Sequence, residues 1–176
     1  MAPLTVATAD DLPAVAALVN SAYRGDSSRR GWTTEADYID GQRTDAAILA
    51  RDLAETPGAR LLMLHEAPGG PLLGTVWLEP VGDDQTWYLG MLTVRPDLQA
   101  KGTGRELLAV AEAAAAELGA RRIRMTVVAI RDSLIAWYQR RGYALTGETR
   151  PWPYQDERYG QPRRGDLSFV VLEKAL

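Results

Sequence analysis

A short loop in the middle of the chain joins a strand-like segment to a helix-like one, and it constrains the fold more than any other feature. The apolar segment 92–94 is followed by Pro96, Gly102 and Gly104, and an alanine-rich stretch with helical spacing begins after them. The first turn of a helix offers N–H groups without intrahelical partners and the positive end of the helix dipole. The sequence therefore predicts an anion-binding loop between a strand and a helix.

Two familiar nucleotide-binding loops do not fit these residues. A Walker A loop needs its lysine after the second glycine, whereas Lys101 precedes Gly102 and Gly104. A Rossmann fingerprint needs a third glycine where this chain has Leu107. Residue identity thus excludes both classes of loop.

The periodicity of the remaining segments predicts an α/β domain. Helical spacing and capping residues indicate helices at 12–23, 45–55, 103–118 and 132–141. Short apolar or alternating runs indicate strands at 4–6, 60–66, 72–79, 87–94, 123–127, 143–148 and 167–173. These segments amount to about six to seven strands and about four helices. No long linker divides these segments, so we predict one domain over residues 1–176.

The scarcity of cysteine and histidine limits the chemistry that the chain can perform. It has no Cys and one His, His65, which excludes disulfides, thiolate metal sites and cysteine nucleophiles. We expect no metal, and His65 lies in an apolar segment where a structural role is favoured. Catalysis must then depend on carboxylates, Tyr, hydroxyls, Lys, Arg and the backbone.

Charge and hydropathy argue against two classes of partner. A net charge of −3 and a pI near 5.2 do not suit a nucleic-acid-binding protein, which needs a broad basic face to displace counterions. No stretch approaches the roughly eighteen apolar residues of a membrane span, and the first residues lack the pattern of a signal peptide. We therefore expect a cytoplasmic protein that binds neither nucleic acid nor membrane.

Three features together resemble the GNAT superfamily, the Gcn5-related N-acetyltransferases. The pattern Gln-x-x-Gly-x-Gly at 99–104, preceded by Leu-x-Val-x-Pro at 92–96, is similar to the acyl-CoA pyrophosphate loop of that family. The run Ala-Trp-Tyr-Gln-Arg-Arg-Gly-Tyr at 136–143 resembles the family's helix that carries a Tyr and ends at Gly-aromatic. The order of predicted elements also matches. The resemblance is specific over 87–148, and elsewhere only the order of elements agrees. It implies a single mixed β-sheet of about six to seven strands with about four helices, splayed between its fourth and fifth strands.

The resemblance implies that acetyl-CoA is the co-substrate and that it lies across the predicted anion-binding loop. The matching positions are Leu92, Thr93, Val94, Gln99, Ala100, Lys101, Gly102, Thr103, Gly104 and Arg105. A strand backbone N–H polarises the thioester carbonyl in the family, so Gly90 is a candidate for a bulge there or for simple close packing. Arg131 stands where many members carry an Asn that contacts pantetheine. It is a candidate to bind a CoA phosphate or to be solvated.

The resemblance also implies direct acetyl transfer to an amine with Tyr138 as the general acid. The chain has no Cys to carry the acetyl group, so a ternary complex is favoured over a covalent intermediate. Tyr138 matches the family position that supplies a proton to the leaving thiolate. The base stays open between Glu35, Glu79 and a chain of waters.

The loop between the first two helices forms part of the acceptor pocket in the family. We therefore predict Trp32, Glu35 and Arg43 as substrate-binding residues, and the run Gly-Trp-Thr-x-Glu at 31–35 resembles that of a bacterial subset of the family. A Trp beside carboxylates suits a small cationic amine, although Trp32 is equally suited to pin the loop to the core. The alternatives are a protein or peptide acceptor and a non-catalytic acyl-CoA-binding regulator. The segment 152–154 is a candidate homodimer contact or a cover over the acceptor side.

Overall fold

A computed structural model describes residues 4–82 and 84–176 of the chain. The strands are β1 (Thr5–Val6), β2 (Ile39–Asp40), β3 (Arg60–His65), β4 (Leu72–Val81), β5 (Thr86–Val94), β6 (Arg122–Val128), β7 (Ala144–Pro151), β8 (Gln161–Pro162) and β9 (Ser168–Ala175). The α-helices are α1 (Leu12–Tyr23), α2 (Ala46–Glu55), α3 (Thr103–Glu117) and α4 (Asp132–Gln139). Seven strands form one mixed sheet in the order β1-β3-β4-β5-β6-β9-β7. The predicted mixed α/β sheet with its four helices is confirmed in the described residues.

Helices cover both faces of this sheet because its inner strands are apolar on both sides. In β3, Leu61 and Met63 belong to a buried cluster with α1 and α2, whereas Leu62 and Leu64 belong to a cluster with α3 and α4. Alternate residues of a strand point to opposite faces, which explains this division. The helical members of the two clusters include Leu12, Val15, Val19 and Leu49 on one face and Leu107, Leu108, Ala111 and Tyr138 on the other.

The sheet opens between β5 and β6, its fourth and fifth strands. They are the only parallel neighbours in the described sheet, and they pair only where Thr86–Tyr88 lies beside Arg122–Arg124. Beyond Tyr88 the two strands have no paired residues, and the segments 89–92 and 125–128 line a common cavity instead. The predicted splay at this place in the sheet is confirmed.

A β-bulge in β5 lies at the start of this opening. Thr75 pairs with Thr93 and Trp77 pairs with Gly90, so that one residue of β4 faces two residues of β5, Met91 and Leu92. Met91 has a backbone φ of 51°, a value that few residues other than glycine adopt. The bulge therefore follows Gly90 rather than including it. Gly90 serves close packing, because a Cβ there would lie 2.6 Å from the Tyr88 ring.

A second sheet of two short strands was not predicted. Strands β2 and β8 pair antiparallel and form what we call the β2–β8 ribbon. The ribbon rests on a separate buried cluster that contains Ile39, Val128, Trp152 and Leu167. Two-residue strands carry no periodic pattern, so the sequence gives no signal for them. The ribbon brings the loop after α1 against the loop after β7.

Candidate active site

The N-terminus of α3 has the free donors that the loop motif predicted. Among the described residues, none accepts a hydrogen bond from the backbone N–H groups of residues 100–105. Ala100 and Gly102 have φ values of 63° and 93°, in the left-handed region that favours glycine and turns the chain sharply. Lys101 and Arg105 are exposed beside these donors. Such an arrangement suits a phosphate or pyrophosphate group.

Gln99 holds two loops together through its side-chain amide. Its Oε1 accepts from the backbone N–H of Trp32 at 2.9 Å and of Thr33 at 3.2 Å. Its Nε2 donates to Thr33 Oγ1 at 2.8 Å and to the Val94 carbonyl at 3.0 Å. A Cβ on Gly31 would lie 2.3 Å from this Oε1, so only glycine fits there without moving the amide. The side-chain amide of Gln99, which was predicted to contact CoA, is thus hydrogen-bonded to the 31–35 loop.

A groove of about 190 Å³ runs past the N-terminus of α3. We call it the loop groove, and its walls include Trp32, Gln99, Gly102, Gly104 and Trp137. The rings of Trp32 and Trp137 have centroids 6.2 Å apart. The structure therefore places Trp32 beside the predicted CoA loop, and not in the cavity that Glu35 and Arg43 line.

The opening between β5 and β6 forms a second, larger cavity of about 560 Å³, which we call the inner cavity. Its walls come from β4, β5, β6 and α4, from the loop after α1 and from the loop after β7. The predicted site residues that line it are Glu35, Arg43, Leu92, Arg131 and Tyr138, together with the candidate base Glu79. Several segments far apart in sequence thus build one site.

Tyr138 lies where the loop groove and the inner cavity meet, because it lines both of them. Only 6% of its surface is exposed, and its ring packs edge-on against Trp137 and Tyr143. Burial raises the pKa of Tyr138 far above its ordinary value, so that the phenol keeps its proton at neutral pH. Its hydroxyl makes no hydrogen bond to any described residue and is free to donate one to a ligand.

Tyr23 is a second tyrosine at this junction, and sequence reasoning missed it. It also lines both cavities, and its hydroxyl donates to the backbone carbonyl of Leu92 in the bulge. Burial raises the pKa of Tyr23. The residue falls on the apolar face of α1, where helical spacing marks it only as a core position.

Glu35 is buried between two arginines. Its Oε1 accepts from Arg24, and its Oε2 lies 3.4 Å from Nη1 of Arg131. Arg24 also donates to the Tyr159 carbonyl, and Arg131 donates to the Thr33 carbonyl at 2.8 Å. Both carboxylate oxygens are therefore occupied by guanidinium donors. Arg131 lines the inner cavity, and only 9% of its side chain is exposed.

Two charged groups in the wall of the inner cavity have no ion-pair partner among the described residues. The Arg43 guanidinium lies 5.2 Å from the ring centroid of Tyr159, and Glu79 accepts a hydrogen bond from the Trp77 indole at 2.8 Å. Burial is the main cause that raises the pKa of Tyr88, and the hydrogen bond to Thr126 partly lowers it. Smaller contributions come from the charges of Arg43, which lowers this pKa, and of Glu79, which raises it. The charges of Arg43 and Glu79 therefore both act on the Tyr88 hydroxyl.

Comparison with known proteins identifies the fold and the family. The sequence model of the acetyltransferase (GNAT) family matches residues 17–143. No curated protein sequence matches the chain. Within the described residues, no helix is long and apolar enough to cross a membrane, and no group of three or more His, Cys, Asp or Glu side chains could hold a metal ion.

Several solved structures share this fold at low sequence identity. A ribosomal-protein-alanine N-acetyltransferase from Brucella melitensis has a TM-score of 0.70 and 22% identity, covering 98% of this chain and 99% of its own. A spermidine N-acetyltransferase variant from Vibrio cholerae has a TM-score of 0.66 and 15% identity, covering 98% and 94%. A GNAT family acetyltransferase from Elizabethkingia anophelis with acetyl-CoA bound has a TM-score of 0.60 and 17% identity, covering 74% and 82%.

Proposed function

Because the chain belongs to the GNAT acetyltransferase family, we propose that it transfers an acetyl group from acetyl-CoA directly to the primary amine of a small metabolite. The observation that carries this proposal is the position of Tyr138, a buried protonated phenol that lines both the loop groove and the inner cavity. A proton donor at the meeting point of two cavities can serve a reaction between a ligand in each.

The residues of the loop groove fit a CoA molecule. The free N–H groups of residues 100–105 would bind the pyrophosphate, with Lys101 and Arg105 beside them. The edge of β5 that faces β6 has no strand partner beyond Tyr88, so its backbone is available to the pantetheine arm. Acetyl-CoA would supply the acetyl group and a thiolate leaving group.

The inner cavity would hold the acceptor, with Tyr138 as general acid and Glu79 as general base. Glu79 is favoured over Glu35 because both oxygens of Glu35 are taken by Arg24 and Arg131, whereas Glu79 has no cation beside it. Tyr138 would give its hydroxyl proton to the departing sulfur. Glu79 would take the proton of the amine, directly or through water.

A small acceptor is favoured over a protein chain because loops wall the cavity on its outer side. Arg24, Glu35 and Arg43 from one loop and Trp152 and Tyr159 from another line it together, and the β2–β8 ribbon joins those loops. An extended peptide needs an open groove, which would require this ribbon to move.

The experiment is to measure thiol release from acetyl-CoA with a panel of small amines, peptides with free N-termini and a sample without acceptor. We expect release with one or more small amines at a rate above that with any peptide. Calorimetry with CoA accompanies the assay. CoA binding without release on any acceptor would favour a non-catalytic acyl-CoA-binding protein, and faster release on peptides would favour the protein acceptor.

A further inference from the structure

The inner cavity is rich in arginine although the chain as a whole is negative. The formal net charge of the protein is −3. The charged residues that line the cavity are Arg24, Arg43, Arg124, Arg131 and Arg150 against Glu35 and Glu79. A local surplus of positive charge in a negative protein indicates a site built for an anionic group.

Pairing within the protein removes part of this surplus but leaves a surplus of one positive charge in the lining. Arg124 is neutralised by Glu173 at 2.7 Å, and Arg150 pairs with Glu148 at 3.1 Å. Arg24 and Arg131 share the single carboxylate of Glu35, so this group of three keeps one positive charge. Arg43 adds a second positive charge, and Glu79 is the one carboxylate of the described lining that has no cation partner.

Arg43 is held in place without a side-chain hydrogen bond to a described residue. Its backbone N–H donates to Asn20 Oδ1 at 2.7 Å, and its guanidinium lies over the Tyr159 ring. The carbonyl of Tyr159 is in turn fixed by Arg24. A guanidinium that stacks on a ring keeps the N–H groups of its edge free, and that edge matches the two oxygens of a carboxylate.

We propose, on the basis of the acetyl transfer inferred above, that the acceptor is an amino acid whose carboxylate binds Arg43 while its amine lies toward Glu79. A carboxylate that enters a cavity needs a charged partner to replace its lost hydration, and Arg43 is available for this. A polyamine would meet the surplus positive charge instead, which disfavours it. This acceptor replaces the cationic amine that the sequence predicted, because Glu35 is already neutralised and Trp32 lines the other cavity.

The test compares each standard L-amino acid with its own primary amide, and with spermidine, in the thiol-release assay. The amide keeps the amine nitrogen and the side chain and removes the negative charge, and because its amine also has a lower pKa, the two acceptors are compared per unprotonated amine. We expect kcat/KM for the preferred amino acid to exceed that of its amide by about 10- to 100-fold, the range of one charge-assisted hydrogen bond.

The variants Arg43→Gln and Arg163→Gln form a matched pair for the same assay. Arg163 also lies on the β2–β8 side of the site and 3.7 Å from Asp40, but it does not line the inner cavity. Arg43→Gln is expected to raise the KM of the amino acid about 10- to 100-fold and to abolish the preference over the amide, with the KM of acetyl-CoA unchanged. Arg163→Gln is expected to keep the preference.

Three outcomes would overturn the proposal. The first is a wild-type kcat/KM that is higher for amides or for spermidine than for amino acids. The second is a loss of kcat/KM in Arg43→Gln that is the same for the amino acid and for its amide. The third is the absence of thiol release with every amino acid. Calorimetry with CoA on the same samples tests CoA binding separately, and thiol release with the panel of small amines described above tests the transferase assignment. Arg43 makes no side-chain hydrogen bond to a described residue, so the variant is expected to fold, and circular dichroism checks this.

Discussion

The loop groove and the inner cavity are built in different ways. The groove presents consecutive backbone N–H groups at the start of one helix, whereas the cavity presents side chains of several distant segments. A backbone site depends on loop shape, and few residue types other than glycine give that shape. A side-chain site depends on which charges meet in space. Substitution of single side chains therefore changes a backbone site little as long as the loop keeps its shape, whereas it can change which ligand a side-chain site binds.

The largest effect is expected at the junction of the two regions, in Tyr138→Phe. The variant keeps the buried ring and deletes only the hydroxyl, so folding should change little. Loss of a general acid typically lowers the rate by about 10² to 10⁴. We expect kcat to fall within this range while the affinity for acetyl-CoA changes by no more than a few-fold, as measured by steady-state kinetics and calorimetry.

A Phe variant with the kcat of the wild type, under conditions where chemistry limits the rate, would remove Tyr138 from the mechanism. The raised pKa of Tyr138 adds a pH criterion, because a phenol with a raised pKa stays protonated to higher pH than an ordinary one. The wild-type enzyme should therefore show no loss of the acid below pH of about 10, the ordinary value for Tyr.

In the inner cavity, Glu35→Gln is expected to act mainly on stability. The variant leaves Arg24 and Arg131 without a carboxylate, although their side chains are only 4% and 9% exposed. Breaking a buried ion pair from one side costs about 3–5 kcal/mol. Urea unfolding measures this loss, with Glu148→Gln as the control, because its pair with Arg150 is half exposed and contributes little.

A selective rise in the acceptor KM of Glu35→Gln, at unchanged stability, would contradict this structural role. It would instead support the prediction from the sequence that Glu35 contacts the acceptor directly. Equal stability losses in Glu35→Gln and Glu148→Gln would likewise contradict the burial argument.

The sequence predicted the fold well because its signals are local. Periodicity located the helices and the main strands, and the glycine pattern located the loop at α3 within a few residues. The sequence could not show the partners of Glu35, because Arg131 is 96 positions away. It likewise could not show that Gln99 binds Thr33, 66 positions away. Residue types in these positions fit either a ligand or a protein partner, and only the fold decides.

In the loop groove, Gly102→Val is expected to weaken CoA binding by about a hundredfold or more, because a branched side chain there obstructs two charge-assisted backbone bonds. Gly102 has a φ of 93° and no atom within 4 Å of a Cβ position. Gly119→Val is the matched control, since Gly119 has a φ of 96°, equally open surroundings and a place at the opposite end of α3. Both variants carry similar backbone strain, and calorimetry should show that only Gly102→Val loses CoA affinity.

Similar CoA affinities for the two glycine variants would contradict the assignment of the α3 loop. If both lost affinity, the effect would come from strain in the helix. If neither did, the pyrophosphate would lie elsewhere.

The smallest effect is expected at the contact that joins the two regions, in Gly31→Ala. The backbone of Gly31, with φ −112° and ψ −179°, suits alanine, so the only obstacle is the Gln99 amide 2.3 Å from the new Cβ. Displacing that amide breaks its bonds to Trp32, Thr33 and Val94, which we expect to cost about 1–3 kcal/mol in the free energy of unfolding.

Gln99→Ala removes the same bonds by another route, so the two substitutions should not add. We expect the double variant Gly31→Ala with Gln99→Ala to unfold at nearly the same urea concentration as Gln99→Ala alone, because the methyl group then has no amide to displace. Each variant should also raise the KM values of acetyl-CoA and of the acceptor together by a few-fold, because the 31–35 loop contacts both regions. Additive stability losses, or a change confined to one KM, would mean that Gln99 does not couple the groove to the cavity.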